Sequence, residues 1–115
     1  MNSNLTGLNG KTVPIYTGLS TDGLSAVACG NTVMICGSIY DAAFVKGNWN
    51  GLFTVDDKYV PKTTFTGVAT MFKSGWTEGK PCGFMINSET KSCQYYANFD
   101  VTGYNRISFC INYLV

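Results

Sequence analysis

The sequence predicts an all-β fold, an antiparallel β-sandwich of jelly-roll or immunoglobulin-like type with about eight strands. Three observations carry that expectation. Glycine and aromatic residues are abundant (13 Gly, 7 Tyr, 7 Phe and 2 Trp), while Ala, Leu, Glu and Lys are few, a balance that favours strands joined by tight turns. Apolar and polar residues alternate in several short runs, the period of two required of a strand with one buried face. Turn residues divide those runs at intervals of roughly 8 to 12 residues, with no helical segment between them.

Residues 1–10, rich in Asn, Ser, Thr and Gly, show no hydrophobic periodicity and are expected to be a polar tether to a single domain at 11–115. Asn4-Leu5-Thr6 has the form of a glycosylation acceptor, but no secretion signal accompanies it. The first run, Thr12 to Tyr16, contains Pro14, which cannot donate to a ladder and so belongs at a sheet edge. Ser20-Thr21-Asp22-Gly23 reads as a turn before Leu24 to Cys29, and Gly30-Asn31 as the next turn. In Asn31 to Tyr40, Val33, Ile35 and Ile39 fall on one face and Met34, Cys36 and Ser38 on the other. The mixed stretch Asp41 to Asn50 fits either a loop or one helical turn.

Gly51 to Val55 reads as a strand that runs into the polar turn Asp56-Asp57-Lys58 and an anchor at Tyr59 and Pro61. From Thr63 to Phe72, the residues Phe65, Gly67, Ala69 and Met71 alternate with threonine-rich positions, which suits a half-exposed sheet face. Ser74 to Pro81, with Trp76 at its middle, reads as a long exposed loop. Asn87-Ser88-Glu89-Thr90 separates Cys82 to Ile86 from Ser92 to Ala97 as in a hairpin. The closing run sets Ile107, Phe109, Ile111 and Tyr113 against Ser108, Cys110 and Asn112, which predicts a paired strand at the C-terminus.

Eight Lys and Arg against seven Asp and Glu leave a net charge of +1, too little basic surface to bind nucleic acid. No segment approaches the ~20 apolar residues of a membrane span, and Met1 to Leu5 lack the basic and apolar regions of a signal peptide. The five cysteines have no zinc-site spacing. They are expected to be buried thiols, and Cys82 and Cys93, flanking the predicted hairpin, are the pair that a bridge would join.

There is no histidine, which removes the commonest general base, the imidazole metal ligand and every Ser-His or Cys-His pair. Asp56 and Asp57 are the sole adjacent acids, and neighbours in a strand or turn point apart, whereas acid and base carboxylates must converge on one bond. Enzymatic activity, a metal and a cofactor are all unexpected. The aromatic residues remain. Trp49 and Trp76 lie in Gly-rich polar segments, where each either packs in the core or a subunit contact, or forms a platform for a sugar ring. In the second case Asn48, Asn50 and Tyr104 are the candidate ligand-binding neighbours, and Tyr40, Tyr95 and Tyr96 either extend that surface or fill the core.

Phe53-Thr54-Val55-Asp56-Asp57-Lys58-Tyr59-Val60-Pro61-Lys62 resembles the Phe-Thr-Leu-Pro-x-Gly-Tyr-x-Pro segment of C-terminal tip or head domains in bacteriophage tail-fibre, receptor-binding and baseplate proteins. As in those domains, a hairpin of the type Gly83 to Lys91 follows, and the last strand carries a tyrosine near its end, here Tyr113. The similarity runs from Thr32 to Val115. It implies a homotrimeric virion tail domain that binds a host-surface saccharide or protein; a bacterial carbohydrate-binding or cell-surface module is the alternative.

Overall fold

The computed structural model describes residues 10–41 and 43–115. The tether, apart from Gly10, and the Asn4 acceptor lie outside the described residues. Among the described residues nine strands follow one another: β1 (Lys11–Thr12), β2 (Ile15–Tyr16), β3 (Ser20–Cys29), β4 (Thr32–Tyr40), β5 (Asn50–Val55), β6 (Phe65–Lys73), β7 (Thr77–Ile86), β8 (Ser92–Tyr96) and β9 (Tyr104–Leu114). A single 3-10 turn at Asp57–Tyr59 is the only helical element among the described residues. Its start is capped by Asp56, whose carboxylate accepts from the Lys58 N–H at 3.3 Å.

All pairings between strands are antiparallel and join the nine strands into one sheet in the order β1-β3-β4-β9-β6-β7-β8-β5-β2. The ladders thus run continuously where two stacked sheets were expected. The edge strands β1 and β2 are separated in sequence by Val13 and Pro14 alone, a span of at most about 10 Å, so the sheet must curl until its edges nearly meet. Val13 N–H donates to the Ala26 carbonyl of β3 at 2.9 Å, and the Pro14 carbonyl accepts from Asp56 N–H, next to β5, at 3.2 Å. Pro14 therefore sits at the crossing between the two edges, where its missing N–H breaks no ladder. The result is a curled half-barrel.

The concave side holds the core. Val33, Ile35 and Ile39 of β4, Met71 of β6, Phe84 and Ile86 of β7 and Ile107 of β9 have no accessible surface. Phe84 and Phe109 stack at 4.8 Å, and Phe53 lies 6.0 Å from Phe109. Buried tyrosine hydroxyls find partners: Tyr95 accepts from Val45 N–H at 3.0 Å, and Tyr113 donates to the Tyr59 carbonyl at 2.7 Å.

Three sequence expectations need correction. Asp22 and Gly23 form no reversal, because β3 runs straight through them with a bulge between Asp22 and Ser25; the turn residues serve a local kink instead. The loop expected at 74–81 shrinks to Ser74-Gly75-Trp76, since β7 begins at Thr77. Pro81 is tolerated within β7 because β8 reaches only as far as Gly83, leaving that stretch paired with β6 alone. The cysteines also differ from expectation. Cys93 lies opposite Ile86, four residues from Cys82, and both remain buried thiols; burial pushes Cys82 up to about 11 and Cys93 well above the usual thiol range. The disulfide instead joins Cys36 to Cys110, direct partners in the β4–β9 ladder.

Asp41 and residues 43–49 belong to a loop. Asp41 carboxylate accepts from Ala43 N–H at 2.8 Å, and Lys46 forms an isolated bridge with Ala97.

Candidate functional site

Because side chains alternate across a sheet, burying Ile39, Ile107 and Met71 sends Tyr40, Arg106 and Phe72 to the convex face. Tyr40 pairs with Arg106, and Arg106 with Phe72, so the three side chains form a row across β4, β9 and β6. Two positions along, Ser38, Ser108, Thr70 and Pro81 form the next row by the same ladders. Gly83 and Tyr96, partners across β7 and β8, lie one row further on.

Trp76 closes over the first row from the β6–β7 turn. Its ring meets Phe72 edge-on at 5.3 Å. The Arg106 guanidinium carbon lies 3.9 Å from the centre of the Trp76 ring and 4.5 Å from that of Tyr40. Tyr40 in turn donates to the Asp22 carboxylate at 3.0 Å, the bond chiefly responsible for holding the Tyr40 phenol above its usual pKa. Trp76 has a φ of 59°, a left-handed conformation that strains a bulky residue by about 1–3 kcal/mol.

Trp49 is presented in a similar way. Its neighbour Asn48 also has a φ of 59°. The Asn50 amide donates to the Gly47 carbonyl at 3.2 Å and the Asn48 carbonyl at 3.1 Å, which ties the loop into shape. The indole leans on Tyr96 at 5.5 Å and rests over Gly83, where a Cβ would lie 3.2 Å from its ring.

Trp49, Trp76 and Tyr96 are 41%, 46% and 39% exposed. Gly83 stands four residues along β7 from Gly79, which underlies the Trp76 end, so about 13 Å separates the two aromatic patches at strand rise. Thr70 and Ser108, both half-buried, lie between them, whereas Ser38 in the same row is buried.

Of the residues singled out by sequence, Trp49, Trp76 and Asn48 are exposed on this side, and Asn50 shapes the loop that carries Trp49. Tyr104 is 5% exposed, packing edge-on against Phe99 at 5.3 Å with the Lys73 ammonium 5.2 Å from its ring. Tyr40 and Tyr96 extend the outer surface, whereas Tyr95 fills the core. Arg106 was not among the sequence candidates. The alternation of the last strand does place it outward, but its aromatic neighbours come from distant parts of the chain.

The acids stay apart. Asp57 pairs with Lys91, Glu78 with Lys73 at 3.0 Å, and Asp100 accepts from the Thr102 hydroxyl at 2.7 Å. No cluster of acids and cysteines able to hold a metal occurs among the described residues, and none of their helices is long and apolar enough to cross a membrane.

The fold is similar to that of a phage receptor-binding head. The solved structure is the head domain of phage bIL170, one of the receptor-binding domains of lactococcal phages. It superposes with a TM-score of 0.69 over 92% of this chain and 99% of that one, at 12% sequence identity. No protein-family model matches the sequence, and no curated protein does.

Proposed function

We propose that the domain is the non-enzymatic recognition head of a phage tail adhesin, which binds a host-surface saccharide on its convex face between Trp49 and Trp76. The observation that carries this reading is the pair of half-exposed indoles, Trp76 itself in a strained left-handed conformation and Trp49 following a left-handed Asn48, with hydroxyl groups between them. Indoles stack on the apolar faces of sugar rings, and hydroxyls bond their edges. Such strain persists where a site needs a side chain held in place. The likeness in fold to a receptor-binding head supports the same reading.

A glycan array of the purified chain is the direct test. For any glycan that binds, Trp49→Ala and Trp76→Ala are each expected to weaken the interaction by about 1–3 kcal/mol. Wild-type affinity in both folded variants would remove the indoles from the site.

In the virion the head is expected to work as a homotrimer. Met34 and Leu114 are 46% and 60% exposed, and a second copy is the occupant that suits these apolar side chains. They lie toward the other end of the convex face from Arg106, so such packing leaves the Trp76 end open. Light scattering that finds only monomer at micromolar concentration would overturn the trimer.

A further inference from the structure

Among the described residues, two buried side-chain polar atoms lack a hydrogen-bond partner: Asn105 Oδ1 and Arg106 Nε. They belong to consecutive residues of β9, and both residues touch the same turn. Asn105 Nδ2 donates to the Ser74 hydroxyl at 3.2 Å, while Arg106 lies against Trp76. Buried polar groups without partners are rare in native structures and call for an explanation. Here one is an acceptor and the other a donor, side by side at the foot of the candidate site.

Arg106 is also an unspent cation. The ion pairs among the described residues are Lys73 with Glu78 and Lys91 with Asp57, and neither involves Arg106. Asp22 stands behind Tyr40 and accepts that phenol's hydrogen bond. Two aromatic rings lie within 4.5 Å of the guanidinium carbon, which holds the planar group in place. Its two Nη groups are not among the buried atoms left without a partner, and neither ion pair uses them. A planar fork held in this way matches the paired oxygens of a carboxylate or phosphate, which a lysine ammonium does not.

We propose that Arg106 reads an oxyanion, a carboxylate or a phosphate, carried on the receptor saccharide, with Asn105 Oδ1 accepting from a neighbouring sugar hydroxyl. This deepens the adhesin reading and rests on it. Trp76 and Tyr40 act as positioning residues that hold the fork.

The full chain should be titrated at fixed ionic strength with glucuronate, glucose 1-phosphate and the neutral methyl glucoside, following the Arg106 Nε–H and Trp76 indole resonances by NMR. Saturable shifts of both resonances with at least one of the charged sugars, but not with methyl glucoside, are the expected result; which of the two binds tells carboxylate from phosphate. Arg106→Gln should lower affinity at least about tenfold. Arg106→Lys, which keeps the charge and loses the fork, should lose most of the binding, and Asp22→Asn should raise affinity about twofold by removing a repelling charge. A merely structural strut would not produce that gain. Should Arg106→Gln fail to melt cooperatively, the lysine and Asp22→Asn variants decide. Equal binding of the neutral glycoside, no binding of either charged sugar, or unchanged affinity in folded Arg106→Gln overturns the proposal. If array glycans bind wild type and Arg106→Gln alike, recognition by this face stands and the oxyanion does not. If the charged sugars bind but no array glycan does, the oxyanion site stands without the adhesin reading.

Discussion

A chain ended at Ser108 is expected not to fold. β9 lies in the middle of the sheet, between β4 and β6, so the cut removes part of a central strand and leaves the Thr32 to Gly37 stretch of β4 with an open edge. Phe109, Ile111 and Tyr113 go with it, each at most 6% exposed and each worth about 2 kcal/mol of burial. The Tyr113 bond to the Tyr59 carbonyl, the Lys62 and Val115 backbone bonds and the Cys36–Cys110 disulfide are lost as well. Against a total stability of about 5–15 kcal/mol for a domain, these losses together leave nothing. Removing only the last five residues still takes Ile111 and Tyr113 and should have the same outcome. Circular dichroism during heating is the check: a soluble, cooperatively melting chain ended at Ser108 would refute the argument.

That strand was the most legible part of the fold. Ile107, Phe109, Ile111 and Tyr113 all face inward as their alternation required, and so do Val33, Ile35 and Ile39. Period-two patterns report burial directly, because each strand needs only its own sequence to show which face is apolar. What could not be read is whatever depends on which strands become neighbours. Cys36 and Cys110 are 74 residues apart, and nothing local marks them as partners. Asp22-Gly23 has the chemistry of a turn, but the same chemistry serves a bulge inside β3.

The site divides along the same line. Trp49 and Trp76 stood out because large aromatics amid Gly and polar residues are unusual anywhere. Arg106 did not, because its significance comes from Tyr40 and Trp76, brought to it by the β4–β9 ladder and by the turn between β6 and β7. The convex face that presents them exists only because the sheet curls. The sheet also carries the bulge of β3, and that bulge leaves room only for a glycine at one position of β4.

Replacing that glycine, Gly37→Ala, is therefore expected to destabilise the domain by about 3 kcal/mol or more. Gly37 occupies an inward-facing position opposite Phe109, and the bulge folds the backbone of Leu24 into the space a side chain would fill. A Cβ at Gly37 would lie 2.5 Å from Leu24 Cα, 2.8 Å from its nitrogen and 2.9 Å from the Gly23 carbonyl oxygen. All three are backbone atoms, so no rotamer change relieves the contact. The φ of 148° adds strain for any residue with a side chain. Two other glycines separate the causes. Gly30→Ala meets open space but keeps a φ of 64°, so it should lose about 1 kcal/mol from backbone strain alone. Gly18→Ala meets open space with no such φ, and should be neutral or gain up to about 1 kcal/mol by stiffening the unfolded chain. Urea melts of the three variants should rank them Gly18, Gly30, Gly37 in falling stability. A Gly37→Ala protein as stable as the Gly18 variant would mean that Leu24 moves aside freely.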